Sequence, residues 1–157
     1  MVIYCMEIFY YTLIIICFFS LLYLSWQDIK SQEISRNITL GIVFLALLFN
    51  LVALLFYENE QAYQSLLGGL FLGSGFLLCM IITKEKALGM GDVYLFLLMG
   101  LLVGLGNIIL SLAITIFSAL VYSVFKFKKL NLKQKIPFVP FITLGIFSTI
   151  IIVSFLL

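Results

Sequence analysis

The chain of 157 residues carries only seven carboxylates and no histidine, so the positions of its acids hold most of its chemical information. Glu7 lies early in the first apolar segment, and Glu58 and Glu60 lie between the second and third. Asp28 closes the first apolar run in Ser25-Trp26-Gln27-Asp28-Ile29-Lys30, and Asp92 falls inside a later one, directly after Gly89-Met90-Gly91. An ionisable group within an apolar span is costly and generally faces a partner or a water-filled cavity. Two carboxylates brought together at a membrane face support acid–base hydrolysis of a peptide bond. The ionised one activates a water, and its protonated partner polarises the carbonyl and donates to the leaving amine. Like charges about 3 Å apart cannot both ionise, so such a pair holds one proton between them. Gly89 and Gly91 would let the backbone beside Asp92 approach a substrate or a facing helix. The same residues also have structural readings. An aspartate at a helix start caps it, and Asp28 with Lys30 can form a solvated pair beside the membrane. The residues alone leave both readings open.

The elements that must position these acids follow from composition. The chain is 64% hydrophobic and 10% charged, with a mean hydropathy of +1.27. A soluble domain is about 45–50% apolar and about 25% charged. A soluble fold of roughly 150 residues still exposes about a third of its surface, which is incompatible with that apolar content. A soluble globule, a disordered chain and a disulfide-stapled secreted domain are excluded. The expectation is a single all-α integral membrane domain over residues 1–157. The net charge of +2 is too small for a nucleic-acid surface. Without histidine, the commonest metal ligand and the usual general base near neutral pH are missing. Cys5, Cys17 and Cys79 lie in apolar runs without CxxC spacing and read as small hydrophobes, so no metal and no cofactor is expected.

A spanning helix needs about 20 apolar residues. Six segments qualify, at about 4–25, 38–57, 63–82, 88–103, 107–125 and 136–157. The apolar run 93–125 is too long for one span at about 1.5 Å per residue, and its only turn-like composition is Gly104-Leu105-Gly106-Asn107, where it is divided. Gly69-Leu70-Phe71-Leu72-Gly73 and Gly100-Leu101-Leu102-Val103-Gly104 have the GxxxG spacing that permits close helix approach. The first segment lacks the basic n-region of a cleavable signal peptide and is too long for one.

All nine basic residues fall in three connections: Lys30 and Arg36; Lys84 and Lys86; and Lys126, Lys128, Lys129, Lys133 and Lys135. The positive-inside rule makes these loops cytoplasmic, which sets both termini outside and puts Asp28, Glu33, Glu85 and Asp92 on the cytoplasmic side. Tyr23, Trp26 and Tyr57 sit at span ends, where aromatic side chains form an interfacial belt. If Asp28 ends the first helix and Asp92 opens the fourth, the two helix ends act oppositely on the pair. That contrast assigns Asp92 the role of base and Asp28 that of acid.

Gly89-Met90-Gly91-Asp92 matches the GxGD motif of intramembrane-type aspartyl proteases. Asp28, six residues before Ile34, is similar to the first aspartate of the type IV prepilin peptidases, commonly followed by an Ile-Pro-Asn run. Lys135-Ile136-Pro137-Phe138-Val139-Pro140-Phe141 resembles that family's late I-P-F-x-P-F segment. The resemblance covers about residues 28–145. It implies an aspartic endopeptidase of the bacterial cytoplasmic membrane, with Asp28 and Asp92 catalytic and neither metal nor covalent intermediate. Its substrates would be prepilins of type IV pili, or the pseudopilins of competence and protein secretion, which lose a short basic leader at the cytoplasmic face. Many members add an N-terminal methyltransferase domain with two CxxC pairs. This chain starts in a span and has no CxxC, so the short, peptidase-only form is implied. Ser35-Arg36 stands in place of Pro-Asn, and Tyr94 in place of a Lys often found two residues after the GxGD aspartate. These departures bear on substrate choice more than on water activation.

Pro137 and Pro140 suit the first turn of a helix, where a missing N–H costs nothing, and are also placed to shape the site. The alternative reading is a non-catalytic homologue, or a small transporter or assembly subunit that uses Asp92 as a proton or cation site. The Lys cluster at 126–135 is expected to meet anionic lipid head groups, worth about 1 kcal/mol per Lys near the surface. A basic leader calls for acids to receive it, and Glu33 and Glu85 are the candidates. Glu33→Gln and Glu85→Gln should slow leader processing at physiological salt; normal rates in both, followed on a gel, would remove them from the substrate site.

Overall fold

The computed structural model describes residues 2–31, 34–57, 60–84, 89–127 and 137–156. All described regular structure is helical: α1 Val2–Ser31, α2 Arg36–Tyr57, α3 Glu60–Thr83, α4 Met90–Val103, α5 Ile108–Phe127 and α6 Val139–Leu156, with one 3-10 turn at Leu105–Asn107. This follows from composition, because lipid offers no partner for backbone N–H and C=O groups, and a helix satisfies them within its own segment. Four stretches are long and apolar enough to cross a membrane: Tyr10–Ser31, Arg36–Phe56, Glu60–Thr83 and Leu105–Phe125. Ile109, Phe117 and Phe125 on α5 and Phe155 on α6 are largely exposed, as lipid-facing side chains should be.

Each of the six expected segments contains a helix, but α4 and α6 are shorter than the other four. The 14 residues of α4 rise only about 21 Å at 1.5 Å per residue, less than the roughly 30 Å of a hydrocarbon core. α4 is also apolar all round, the signature of an enclosed helix. Val93, Leu95, Phe96 and the run Leu98–Val103 are buried, and α2, α3 and α6 pack around it.

The break between α4 and α5 falls at the expected glycine. Gly104 has a φ of +77°, a conformation that side chains disfavour, and its N–H donates to Gly100 O at 3.0 Å. Asn107 N–H then donates to Gly104 O at 3.3 Å, closing the 3-10 turn.

The two GxxxG stretches pack against each other. A methyl group at Gly68 would lie 2.8 Å from Gly100 O, and one at Gly100 would overlap the Gly68 carbonyl. Further along, a methyl at Gly69 would meet Leu101 at 2.7 Å and one at Gly73 would meet Leu97 at 2.9 Å. Beyond the glycines, Phe76 of α3 stacks on Phe96 of α4 with centroids 3.5 Å apart and planes 3° from parallel. On the α2 side, the buried Asn50 Nδ2 donates to Leu101 O at 3.3 Å as well as to Ala46 O at 2.9 Å. α5 joins through α6, where Gly145 leaves room for Thr115 and for Ser111 O.

Gly100→Ala should therefore destabilise the detergent-solubilised protein by about 2 kcal/mol or more, since a backbone contact cannot be relieved by a rotamer change. Gly75→Ala, with nothing within 4 Å of the added carbon, should leave the unfolding temperature unchanged or slightly raised. Equal effects in a thermal unfolding assay would contradict this packing.

Candidate active site

Asp28 lies on the face of α1 made by Leu13, Cys17, Leu21, Leu24 and Ser25, all buried at helical spacing. It is itself only 6% exposed. α1 packs on α6 and α2. Its carboxylate reaches the start of α6, where Val139 N–H donates to Asp28 Oδ2 at 2.9 Å. A helix N-terminus presents N–H groups with no partner inside the helix. Here Val139 uses Asp28, Pro140 has no N–H to satisfy, and Phe141 and Ile142 both donate to Phe138 O, at 3.1 and 3.3 Å. Asp28 thus caps α6 from another helix. Pro137 is buried two residues before the start of α6, and Pro140 is the second residue of that helix, half-buried.

Asp92 is the third residue of α4, and its Oδ2 accepts from Gly89 N–H at 3.1 Å. Gly89 O in turn accepts from Asp92 N–H at 3.1 Å and Val93 N–H at 3.4 Å. The carboxylate therefore ties back to the residue preceding its own helix, as in half of a capping box. Asp92 is half-buried, not enclosed.

The two glycines of the motif differ in role. Gly89 is exposed, in ordinary extended geometry with φ −86° and ψ 162°, and the nearest atom to an added carbon is Asp92 Oδ2 at 3.8 Å. At Gly91 an added carbon would lie 3.3 Å from Ile34 Cβ and 3.4 Å from its Cδ1. The missing side chain of Gly91 makes room for Ile34, which precedes α2, so the close approach foreseen there is to the protein's own chain.

The start of α6 joins the two halves of the site. Val139 binds Asp28, while Phe138 approaches Phe96 with centroids 5.9 Å apart. Phe96 lies one turn beyond Asp92, so Asp28 and Asp92 are brought to the same end of the bundle.

Two expectations are corrected. Asp28 and Lys30 do not form a juxtamembrane pair, because Lys30 Nζ lies over the exposed Trp26 ring, 5.2 Å from its centroid, while Asp28 turns inward to Val139. The dipole contrast between the aspartates is opposed by a further helix end. Asp28 lies in the last turn of α1 but also meets the N-terminus of α6, as Asp92 meets that of α4. Glu33 and Glu85 lie outside the described residues, as does the Lys cluster from Lys128 onwards.

Ser25 and Thr143 were not singled out in the sequence. Ser25 Oγ and Thr143 Oγ1 are 3.0 Å apart and buried between α1 and α6, one turn deeper than the Asp28–Val139 bond. The available signal was spacing: Ser25 is three residues before Asp28, and Thr143 is four after Val139. It becomes readable only once α6 is known to pack on α1.

The model of the type IV leader peptidase family matches residues 15–124, which include both aspartates and Gly89 to Asp92. The chain belongs to that family. No curated protein and no solved structure matches it. Membership in a peptidase family, together with four helices able to cross a bilayer, makes this a membrane protein of peptidase type. In this leader-peptidase-family chain the family match ends before α6, yet the backbone N–H that holds Asp28 comes from α6.

Gly91→Val should lower stability and be compensated in part by Ile34→Ala, whereas Gly89→Ala should leave stability unchanged. Thermal unfolding of the four proteins, with the Ile34→Ala single variant, checks this; loss of stability in Gly89→Ala alone would reverse the assignment.

Proposed function

We propose that this protein is a membrane-embedded aspartic endopeptidase of the GxGD type, with Asp28 and Asp92 as its catalytic pair. It removes the basic leader of type IV prepilins or prepilin-like pseudopilins at the cytoplasmic face of the bacterial membrane. The observation that carries the reading is that the start of α6 meets both acid-bearing helices: Val139 N–H donates to Asp28, and Phe138 packs towards Phe96, one turn beyond Asp92. The family match and the charge pattern of the loops support it. In the orientation proposed, the bundle crosses six times with both termini outside, and the aspartates open towards the cytoplasm.

Catalysis then needs one proton shared by two carboxylates. The ionised one takes a proton from water as that water attacks the peptide carbonyl. The protonated one donates first to the carbonyl oxygen, and the amine leaves with a proton from the pair. Val139 N–H and Gly89 N–H each hold one carboxylate oxygen in place, so the acids are oriented before substrate arrives. The apolar stem of a prepilin would lie along the bundle with its basic leader on the cytoplasmic side. Glu33 and Glu85 would meet the leader, and the 126–135 lysines would meet anionic lipid.

Asp28→Asn and Asp92→Asn suit the test, because each keeps a carbonyl oxygen to accept from Val139 or Gly89. With a co-expressed prepilin-type substrate and matched membrane levels, each should lower processing by at least about 100-fold, the scale of a lost general acid or base. Full cleavage by either variant would exclude the carboxylate-pair mechanism. Dependence on Asp92 alone would favour a proton or cation site.

A further inference from the structure

We infer that Ser25 and Thr143 are positioning residues for Asp28, acting through a buried hydrogen-bond ladder that fixes the first turn of α6 against α1. The inference rests on the catalytic role proposed for Asp28.

The ladder follows from the counting of protons. Thr143 Oγ1 donates its single hydroxyl hydrogen to Val139 O at 2.9 Å. Ser25 Oγ, 3.0 Å from Thr143 Oγ1, must therefore be the donor in that contact. Val139 is held at its carbonyl by Thr143, and its N–H donates to Asp28 Oδ2. The path is continuous: Ser25 hydroxyl to Thr143 hydroxyl to Val139 carbonyl, and Val139 amide to Asp28 carboxylate. It returns to α1 three residues from where it began. Two contacts one turn apart fix both the spacing and the rotation of α6 relative to α1, which a single bond would not do.

All the side chains in the path are buried: Ser25, Asp28 and Thr143 are 7%, 6% and 5% exposed. Water is poorly placed to replace a lost partner there, so the ladder breaks as a unit. Without the Thr143 hydroxyl, Ser25 loses its acceptor, and Val139 O keeps only the helix's own bond from Thr143 N–H. The first turn of α6 is then held to α1 by the single Val139–Asp28 bond and apolar contacts, without the second contact that fixed its rotation. A misplacement of about 1 Å at a reacting group costs on the order of 100-fold, so partial loosening should cost about tenfold.

The test uses the full chain in lipid nanodiscs and a prepilin-type substrate with a basic leader. Thr143→Val removes the hydroxyl at nearly constant shape, Thr143→Ser keeps it, and Ser25→Ala removes the donor. Thr143→Val should lower kcat about tenfold with KM unchanged, and Thr143→Ser should restore kcat to within about twofold. The Ser25→Ala Thr143→Val double variant should be no slower than Thr143→Val, because both act through one ladder. Wild-type kcat in both single variants, or failure of Thr143→Ser to restore it, would overturn the inference.

A second readout separates this from failure of the proposed activity. Asp28 and Asp92 are the only aspartates in the chain. In Asp92→Asn protein labelled with ¹³C-aspartate, Asp28 therefore gives the only labelled carboxyl band in the infrared. Thr143→Val in that background should shift the band and Thr143→Ser should not. A shifted band with no cleavage by the otherwise wild-type chain would reject the peptidase reading and keep the ladder. Cleavage with an unshifted band would reject the ladder and keep the peptidase.

Discussion

The bond from Val139 N–H to Asp28 Oδ2 is the constraint on which the arrangement of this end of the bundle depends. A helix that begins within or near hydrocarbon cannot leave its first amides unpaired, since no water is at hand to take them. α6 meets this need with a proline at its second residue, local bonds to Phe138 O and a carboxylate from another helix. The last helix is thereby docked on the end of the first. Phe138 then falls against Phe96, and the helix that carries Asp92 is drawn into the same corner. A residue that serves as a cap for α6 is also one of the two acids proposed to act on substrate, so fold and chemistry share an atom.

The other half of the site is set from a distance. Asp92 stands at one end of α4, and the depth of α4 in the bundle is fixed near its other end, where Gly100 meets Gly68 backbone to backbone. Eight residues separate Asp92 from Gly100, about 12 Å of helix. A short, stiff helix transmits that register directly to the carboxylate. The Phe76–Phe96 stack and the Asn50–Leu101 bond hold the same helix on two further sides. α4 thus works as a mostly enclosed strut that carries a half-buried acid in its first turn.

Much of this was legible in the residues themselves. Membrane class, the helical character of every described segment and the division at Gly104 follow from hydropathy, span length and turn chemistry, all of which are local properties. The GxxxG stretches announced a close contact, although not that they would contact each other or that Gly68 would be its centre. Asp28 and Asp92 stood out because a carboxylate in so apolar a chain has few reasons to be there. Glycine at position 91 was readable as room for a neighbour, but the neighbour, Ile34, was not.

What the sequence determined by itself was therefore what each segment is: a helix, apolar enough to leave water, with two acids near its ends. Only the tertiary structure decided what those acids touch. That Asp28 turns inward to α6 and not outward to Lys30, that Ser25 and Thr143 lie beneath it, and that it caps the N-terminus of α6 are all consequences of α6 packing on α1. Hydrophobic pattern cannot specify that pairing, because lipid-facing and helix-facing apolar side chains look alike in sequence when both environments are equally apolar. The selection between them is made by a few directional contacts, namely a glycine pair, two hydroxyls and one capped amide, and these exist only once the helices have met.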